Sequence, residues 1–494
     1  MNLSLLVAQS ARRMPDKPAL IVGPRVCTYR QLEAATQRTT DTLLEAGVRT
    51  GRKIAITVPN GPEFVAGLMG ILRAGAIAVP CPLDMQAPER AAMLELVRCE
   101  YQIGAGKLNV ADEMSFKNLD DAAARHLYLS PTPYLRSDPI DQRLLDTGAS
   151  NIRFTSGTTS AFKGVVLSHQ GIRDRFEIAN RALQISGDDT IFFGLPMAHH
   201  FAVSVMLHLS VGATIVTGSV FLGDSVAREV HRHRATIIYG TPVSYRLMAD
   251  APHVDTKSLR SVRLAISTAM ALPGHVATSF QQRFEVPLAQ ALGIIEVGMP
   301  IMNLPHPQRI LGALGRLIDG FEARVVGDNG RDCPTDEPGE LWLRGPGMLA
   351  AYYAPWRPQP EILHDGWFRT GDVVRCDEAG NYFLMGRTKD VINVGGTKVF
   401  PIEIEEVLAS HEAVGEALVT GIPHDVLGEI PVASVELREA CRTTPEALIE
   451  HCRRHVSPVK VPRVIRIVDA LPRTHSGKVA RAANSHDTVK QCPQ

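Results

Sequence analysis

The sequence predicts a large α/β domain followed by a smaller α+β domain. Short strand-like runs rich in β-branched residues alternate with helical runs over most of the chain, which is the pattern of largely parallel sheets. After Gly386 the pattern changes to a compact succession of strands and helices. The length of 494 residues also exceeds what one hydrophobic core usually supports. We therefore expect residues 1–386 to form the large domain and residues 387–494 the small one.

The individual elements follow from local patterns. In the large domain the predicted strands are KIAITVP, AIAVPC, GVVLS, TIFFGLP, ATIIYGTP and SVRLAIS, and the predicted helices include PEFVAGLMGILRAG and VSYRLMAD. From about Phe321, the runs FEARVVGDNGRD, GELWLRGPG and NYFLMG predict antiparallel strands joined by Gly, Asn and Asp turns. The small domain is predicted to begin with a strand over 389–394 and a helix with Pro401 in its first turn. The strands EALVTGIP and IPVASVEL, the helix TPEALIEHCRRHVS and the strand RVIRIVDALP follow.

Composition excludes several classes of function. The 52 Lys and Arg residues balance the 52 Asp and Glu residues, so no global positive field favours a polyanion. Aromatic residues make up only 5% of the chain, which also disfavours nucleic acid as a partner. The eight cysteines include no CxxC pair, which disfavours a zinc ribbon and fits a reducing compartment. The N-terminus lacks the features of a signal peptide, so we expect a cytoplasmic protein.

One apolar stretch is long enough to cross a bilayer. Residues 201–223 read FAVSVMLHLSVGATIVTGSVFLG and carry no charge apart from a possible one on His208. Gly212 and Gly218 interrupt the stretch, and its second half is β-branched. We therefore predict a buried helix, a glycine turn and a buried strand, and no membrane span.

The strongest local signal for chemistry is FTSGTTSAFKGV at residues 154–165. Hydroxyl side chains and a glycine lie between two predicted strands, and Lys163 adds a positive charge at the far end. Such a loop offers backbone N–H and hydroxyl donors to a phosphate. It is not a Walker A loop, because the spacing from Gly157 to Lys163 differs and Gly164 follows the lysine. A Ser/Thr-rich surface turn is the alternative interpretation.

This loop resembles the TSGTTGxPKG signature of the acyl-adenylate-forming (AMP-binding) superfamily. That superfamily contains acyl- and aryl-CoA ligases, peptide-synthetase adenylation domains and luciferases. The resemblance covers nearly the whole chain, because four further motifs follow in the family's order. They are GWFRTGD at 366–372, GRTKD at 386–390, VGGTKVFPIEIE at 394–405 and PRTHSGK at 472–478. The resemblance implies a large adenylating domain, with a small antiparallel β subdomain, and a small mobile C-terminal domain.

The resemblance also implies an ATP site and its residues. Asp372, expected at the end of a strand, would accept from the ribose hydroxyls, and Arg387 would reach the ribose and phosphates. Glu296 would be the acid linked to Mg²⁺, together with Thr159. The predicted ATP- and AMP-binding residues are Thr155, Ser156, Gly157, Thr158, Thr159, Lys163, Leu292, Gly293, Ile295, Asp372 and Arg387.

Two half-reactions are expected to share this site. Lys478 would neutralise charge while the carboxylate attacks the α-phosphate of ATP. Rotation at Lys389, the hinge position, would then replace the Lys478 face with the face that carries Gly395 and Gly396. These glycines would let a pantetheine thiol approach closely. The implied thiol substrate is coenzyme A, or alternatively the phosphopantetheine of a carrier protein.

The acid pocket is expected to include His199, His200, Ser267, Thr268 and Ala269. The resemblance places His199 near the acyl carboxylate, where it would gate the pocket between the two steps; an ordinary core histidine is the alternative interpretation. Peptide-synthetase domains hold an α-amino group with an Asp where this chain has Ala202, so an α-amino acid would lack its counter-ion. We therefore expect a non-amino acid, either aryl or fatty.

Two departures from the family pattern bear on nucleotide affinity. Leu292 replaces an aromatic residue that usually stacks on adenine, which removes roughly 1 kcal/mol of stacking. Ile295 replaces a threonine, and one lost neutral hydrogen bond costs about 0.5–1.5 kcal/mol. A catalytically silent homologue that binds nucleotide is the remote alternative, but Lys478 and Glu296 are both present. The leading hypothesis is an AMP-forming acyl-CoA ligase; the other enzyme hypothesis is an adenylating enzyme that loads a carrier protein.

Overall fold

The computed structural model describes residues 1–105, 114–115, 127–135, 138–155, 163–218, 223–304, 310, 312–473 and 479. The chain packs into two compact units. The first comprises Met1–Glu322 and Leu343–Phe368, and the second comprises Ala323–Trp342 and Arg369–Gln494. Compact packing does not define which part of the chain moves as a domain. The domain boundary expected between residues 386 and 387 therefore stays a prediction.

The helices begin where capping and proline signals stand in the sequence. Thr28 caps α2 in a capping box with Gln31, and Ser168 caps α6 through the Gly171 N–H at 2.9 Å. The helices are α1 (Ser4–Arg13), α2 (Tyr29–Glu45), α3 (Pro62–Arg73), α4 (Ala87–Val97), α5 (Gln142–Asp146), α6 (His169–Leu183), α7 (Met197–His200), α8 (Met206–Val211), α9 (Gly223–His233), α10 (Pro242–Asp250), α11 (Gly274–Phe284), α12 (Gln359–Ile362), α13 (Pro401–Ala409) and α14 (Pro445–His455).

The strands alternate with these helices along the first unit. They are β1 (Pro18–Val22), β2 (Arg25–Thr28), β3 (Lys53–Thr57), β4 (Ile77–Pro80), β5 (Tyr101–Ala105), β6 (Met114–Ser115), β7 (Leu127–Pro131), β8 (Ala149–Thr155), β9 (Lys163–Ser168), β10 (Thr190–Phe193), β11 (Thr214–Thr217), β12 (Ile237–Gly240), β13 (Leu264–Ser267), β14 (Leu288–Ile294), β15 (Gly298–Met302), β16 (Arg316–Leu317), β17 (Glu322–Val326), β18 (Gly339–Arg344), β19 (Ala351–Tyr352), β20 (Arg357–Pro358), β21 (Phe368–Cys376), β22 (Tyr382–Arg387), β23 (Ile392–Val394), β24 (Thr397–Val399), β25 (Val414–His424), β26 (Gly428–Leu437) and β27 (Val464–Val468).

Two nine-stranded sheets form the frame of the first unit. One has the order β16-β15-β14-β13-β12-β10-β11-β1-β2; the strands from β14 to β1 are parallel to one another, and β15 and β2 pair with them antiparallel. The other has the order β20-β19-β9-β8-β4-β3-β5-β7-β6, with a parallel centre formed by β8, β4, β3 and β5. The central strands are buried on both faces, as expected when helices cover a parallel sheet. The predicted α/β fold with parallel-rich sheets is confirmed.

The second unit contains smaller sheets. Most of the four-stranded sheet β17-β18-β21-β22 lies in it, and this sheet corresponds to the predicted antiparallel β subdomain. A further sheet has the order β24-β23-β26-β25, with β27 beside β26. Helices α13 and α14 share an apolar core with this sheet through residues such as Ile404, Leu408, Leu448 and Cys452. The predicted α+β pattern of strand, helix, two strands, helix and strand is therefore present.

Two local predictions need correction. The strand predicted over 389–394 begins only at Ile392, because Thr388–Asp390 form a short 3-10 turn. The stretch 201–223 contains a helix, a turn at Gly212 and a strand, as predicted, but its first turn, Phe201–Val205, is a π-helix. Within the described ranges, no helix combines the length and the apolar character that a membrane crossing requires.

Candidate active site

The predicted phosphate loop connects the ends of a β-hairpin. Strands β8 and β9 are antiparallel, and their last paired residues are Thr155 and Lys163. Lys163 is exposed and is the first residue of β9, so it lies at the end of the hairpin where the loop joins the strands. The loop residues Ser156, Gly157, Thr158 and Thr159 lie outside the described residues, and their phosphate-binding role stays a prediction.

Glu296 lies in the tight turn between β14 and β15. Its Oε1 accepts a hydrogen bond from the Tyr352 hydroxyl on β19 at 3.0 Å. The Lys163 Nζ lies 4.7 Å from the centre of the Tyr352 ring, at a distance suited to a cation–π contact. Tyr352 therefore links the carboxylate of Glu296 to the lysine at the end of the phosphate loop.

A buried arginine holds the turn that carries Glu296. From α6, Arg175 donates to the carbonyl oxygens of Ile295 at 2.7 Å, Glu296 at 2.9 Å and Gly347. The side chain is 2% exposed, and burial lowers the pKa of Arg175 to about 9, opposed by the charge of Glu296. The guanidinium thus stays protonated at neutral pH, and its planar fork fixes the backbone of the turn.

A second, half-buried arginine adds positive charge near Glu296. Arg153 lies on β8, two residues before the hairpin end. Burial lowers the pKa of Arg153 to about 10, again opposed by the carboxylate of Glu296. Its Nε has no hydrogen-bond partner among the described residues. Glu296 therefore lies near the cations Arg153 and Arg175 and is linked through Tyr352 to Lys163, and this excess of positive charge suits a nucleotide carrying several negative charges.

The Tyr352 hydroxyl provides a direct test of this arrangement. Tyr352→Phe removes the hydrogen bond to Glu296 but keeps the ring beneath Lys163. We expect about a tenfold loss in kcat/KM for the adenylation half-reaction, because hydrogen bonds to charged groups contribute about 1.5–3 kcal/mol. Pyrophosphate exchange into ATP measures that half-reaction.

Tyr353→Phe is the matched control. The hydroxyl of Tyr353 donates to the Val97 carbonyl at 3.2 Å and accepts from Lys53 at 2.9 Å, and Lys53 lies 5.5 Å from its ring centre. Tyr353 and Lys53 thus form a tyrosine–lysine contact like that of Tyr352 and Lys163, but without a hydrogen bond to Glu296. We expect Tyr353→Phe to lower stability slightly and to leave pyrophosphate exchange unchanged. Equal losses in both variants would contradict a role for Tyr352 in orienting Glu296.

The predicted acid-pocket residues lie at the carboxyl ends of two parallel strands, β10 and β13, which are separated in the sheet by β12. His199 and His200 end the short helix α7, which follows β10, and both are half-buried. Ser267 ends β13, and its hydroxyl is fully buried without a hydrogen-bond partner among the described residues. Ligands of open α/β sheets bind at such strand ends.

The segment after β13 approaches the end of β14. The Thr268 hydroxyl donates to the Ala291 carbonyl at 2.9 Å, and a Cβ atom on Gly293 would lie 3.7 Å from the Thr268 Oγ1. The predicted pocket residue Thr268 and the predicted adenine-site residues Leu292 and Gly293 are therefore neighbours. Ala269 has a φ of +72°, a conformation that costs an L-residue about 1–2 kcal/mol and that glycine adopts freely.

In the second unit, Asp372 and Arg387 face each other across β21 and β22. The Arg387 Nε lies 3.0 Å from Asp372 Oδ1; the side chain of Asp372 is 10% exposed and that of Arg387 60%. Asp372 was expected at the end of a strand, but it lies in the middle of β21, because the strand continues through Gly371 to Cys376. The position follows from the pairing with β22, which local sequence does not reveal.

The predicted hinge and thiol-binding residues lie in adjacent turns of the second unit. Lys389 belongs to the 3-10 turn that follows Arg387. Gly395 and Gly396 form the two-residue loop between the paired residues Val394 and Thr397, with φ values of +57° and +85°. Positive φ at both loop positions is required in type I′ hairpin turns, so the turn alone favours glycine there. Lys478 lies outside the described residues.

The residues present fit ATP and Mg²⁺. Mg²⁺ is commonly bound through one or two carboxylates together with substrate phosphates and water, and Glu296 offers such a carboxylate. Lys163 offers a mobile cation to the phosphates. Among the described residues, no cluster of three or more His, Cys, Asp or Glu side chains could hold a metal ion by itself. An ion at this site would therefore depend on the nucleotide for further ligands.

Two family models match this chain. Residues 7–353 match the AMP-binding enzyme model, and residues 403–478 match the model of the AMP-binding enzyme C-terminal domain. The chain belongs to the AMP-binding enzymes. Their family model covers well over half of the sequence and includes Lys163, Glu296 and Tyr352. The predicted membership in the acyl-adenylate-forming superfamily is thereby confirmed.

Relatives of known activity match nearly the whole chain. A 4-hydroxybenzoate–CoA/benzoate–CoA ligase of Rhodopseudomonas palustris is 31% identical, covering 94% of this chain and 90% of the relative. A long-chain-fatty-acid–CoA ligase of Yersinia pestis is 28% identical, covering 99% and 95%. Among solved structures, a benzoate CoA ligase from Burkholderia xenovorans LB400 has a TM-score of 0.82 at 24% identity, covering 97% of this chain and 99% of that chain. This likeness supports the fold of these AMP-binding enzymes.

Sequence reasoning missed the residues that orient Glu296. Arg175 could have been found, because it stands on the apolar stripe of α6 between Ile172 and Ala179, where a charge needs buried partners. Tyr352 gives no such signal, because its neighbour Lys163 is brought close only by the pairing of β9 with β19.

Proposed function

We propose that this AMP-binding enzyme is an ATP-dependent acid–thiol ligase. It activates a non-amino carboxylic acid as acyl-AMP, releases pyrophosphate and transfers the acyl group to coenzyme A. The observation that carries this proposal is the match to both family models together with near full-length similarity to acyl- and aryl-CoA ligases. The remote alternative of a silent homologue has less support, because Glu296 is held by Tyr352 and Arg175.

In the first half-reaction, a carboxylate oxygen of the acid attacks the α-phosphorus of ATP. The new P–O bond forms as the bond to the β-phosphate breaks, and pyrophosphate leaves. Glu296 and Thr159 would hold Mg²⁺, which supplies charge neutralisation at the phosphates. Lys163 would bind the outgoing phosphates, and Asp372 with Arg387 would bind the ribose. Lys478 would stabilise the charge that develops on the transferred group.

In the second half-reaction, a thiol sulfur attacks the acyl carbon and AMP leaves. We propose that the part of the chain after residue 386 moves about Lys389 between the two steps. The hairpin tip at Gly395 and Gly396 then meets the pantetheine arm, since neither residue has a side chain and a Cβ on Gly396 would meet no atom within 4 Å. His199 would gate the acid pocket while the site changes state.

The class of acid is inferred from a missing carboxylate in the chain and from the names of the relatives. Ala202, 4% exposed, offers no carboxylate to an α-ammonium group, which disfavours amino acids. The relatives carry names of both benzoate and long-chain fatty-acid ligases, so aryl and fatty acids remain the two candidate classes. An aryl or fatty carboxylic acid without an amino group is the proposed substrate.

A carrier-protein phosphopantetheine is the alternative acceptor. Arg453, Arg454 and Lys460 are basic residues that an acidic carrier would contact. Each lies near an acidic side chain of this chain: Arg453 and Arg454 are 3.5 Å from Glu450, and Lys460 is 2.6 Å from Glu403. A solvated helix face accounts for these residues, so coenzyme A is the preferred acceptor. We also propose that the protein is cytoplasmic.

The experiment that tests the proposal is a mass-spectrometric screen. The protein is incubated with Mg-ATP, coenzyme A and a panel of aryl and fatty acids. We expect AMP together with one acyl-CoA. Acyl-AMP without acyl-CoA would instead favour a carrier protein as acceptor. If no acid gives either product while ATP binds, the silent-homologue alternative replaces the proposal.

A further inference from the structure

One buried histidine in the first unit has no hydrogen-bond partner. His208 lies on α8 and is 1% exposed. Neither Nδ1 nor Nε2 has a partner among the residues that the structure describes. Burial lowers the pKa of His208 to about 3, so the ring is neutral. A buried polar side chain without partners is costly, and native proteins keep few of them.

The ring of His208 lies within an aromatic cluster. Its centre is 6.0 Å from that of Phe193 and 6.2 Å from that of Tyr239, both edge-on. Phe193 and Tyr239 are themselves stacked at 5.7 Å, at the carboxyl ends of β10 and β12. The Tyr239 hydroxyl already has the Met299 sulfur at 3.2 Å and a hydrogen bond with Ser204. The cluster is therefore apolar apart from the histidine nitrogens and this satisfied hydroxyl.

This cluster borders the proposed acid pocket. Phe193 contacts His200 as well as His208, with the centres of the Phe193 and His200 rings 6.5 Å apart. The chain between the two histidines forms the π-helix Phe201–Val205, a rare local structure that is frequent at functional sites. His208 therefore stands one aromatic ring away from a residue predicted to line the pocket. Phe193 is 0% and His208 1% exposed, so a ligand would reach His208 by displacing the Phe193 or His200 side chain.

We propose that His208 is a specificity-determining residue that binds a hydroxyl group on the apolar body of the acid. A neutral imidazole has one donor and one acceptor, which match the acceptor and donor of a hydroxyl. A charged substituent would lose its hydration beside Phe193 and Tyr239 without gaining a counter-ion. The substrate class is thus a hydroxylated aryl or fatty acid. The inference rests on the proposed function, because it takes the residues around His200 as the acid pocket.

The premise that His208 lacks a partner is tested without substrate. Thermal unfolding is compared for His208→Leu and for the matched control His169→Leu. His169 is half-buried, and burial lowers its pKa to about 4, but its Nδ1 accepts from the Leu3 N–H at 3.3 Å. We expect the melting temperature to rise in His208→Leu and to fall in His169→Leu. A fall in both variants would overturn the inference, because it would show that His208 is already satisfied.

The specificity is tested with matched pairs of acids. Benzoate is compared with 3- and 4-hydroxybenzoate, and hexanoate with 6-hydroxyhexanoate. We expect the unmodified enzyme to favour one hydroxylated acid over its parent by about tenfold in kcat/KM for AMP formation, the value of roughly one hydrogen bond. The ratio should fall towards one in His208→Leu and persist in His169→Leu. An unchanged ratio in His208→Leu, or no preference in the unmodified enzyme, would refute the inference.

A binding measurement separates this inference from the proposed function. Ligand-induced shifts of the melting temperature are recorded with the same acid pairs in the presence of ATP. A protein that forms no acyl-AMP, but is stabilised more by a hydroxylated acid only when His208 is present, would refute the ligase and support the inference. Equal shifts for both members of every pair would refute the inference whatever the activity.

Discussion

Lys478→Ala is expected to abolish acyl-AMP formation and to leave ATP binding intact. The lysine would neutralise charge on the transferred group only while the carboxylate attacks the α-phosphate. Loss of one such preorganised group costs at least about a hundredfold in rate. Pyrophosphate exchange measures this half-reaction. Thioester formation from a synthetic acyl-AMP and coenzyme A measures the other one, and we expect it to persist in the variant.

Lys460→Ala is the control for Lys478→Ala. Lys460→Ala removes a lysine of the same unit that pairs with Glu403. We expect this control to lower stability slightly, in line with a partly exposed ion pair, and to keep pyrophosphate exchange. Retained adenylation in Lys478→Ala would overturn the proposed mechanism.

The fold was predictable because hydrophobic periodicity is a local property. The runs KIAITVP and TIFFGLP became β3 and β10, and Pro401 opens α13 as its position predicted. Errors arose where long-range pairing determines the structure. Asp372 follows a Thr-Gly pair that indicates a strand end, yet pairing with β22 extends β21 past Gly371. The other error is local: the strand expected from Lys389 begins three residues later, because Thr388–Asp390 form a 3-10 turn.

The site was predictable only where motifs are contiguous in sequence. Lys163 and Glu296 could be named from their own segments, but the contacts around them come from elsewhere in the chain. Tyr352 reaches Glu296 because β19 pairs with β9, and Arg175 reaches the same turn from α6. No spacing rule relates residues so far apart in sequence. The partnerless nitrogens of His208 are likewise visible only once its helix is packed on the sheet.

Gly396→Leu is expected to spare adenylation and to block thioester formation. The substitution places a branched side chain at the tip of the β23–β24 hairpin, where the pantetheine arm would pass. Because the first half-reaction uses the Lys478 face, pyrophosphate exchange should stay within about twofold of the unmodified enzyme. Thioester formation from synthetic acyl-AMP should fall at least about a hundredfold, since misplacement by 1 Å alone can cost that much. Stability should fall by about 1–2 kcal/mol, because Gly396 has a φ of +85°.

Gly380→Leu distinguishes loss of the thiol path from strain in the turn. Gly380 has a φ of +80°, and a Cβ there would meet no atom within 4 Å, as at Gly396. It lies in the turn between β21 and β22 of the same unit. Both variants therefore carry the same backbone strain with similar space around the new side chain. If only Gly396→Leu loses thioester formation, the hairpin tip acts on the thiol. If both variants lose it equally, or if Gly396→Leu loses both half-reactions alike, the glycines serve the turn and the two-face mechanism is wrong.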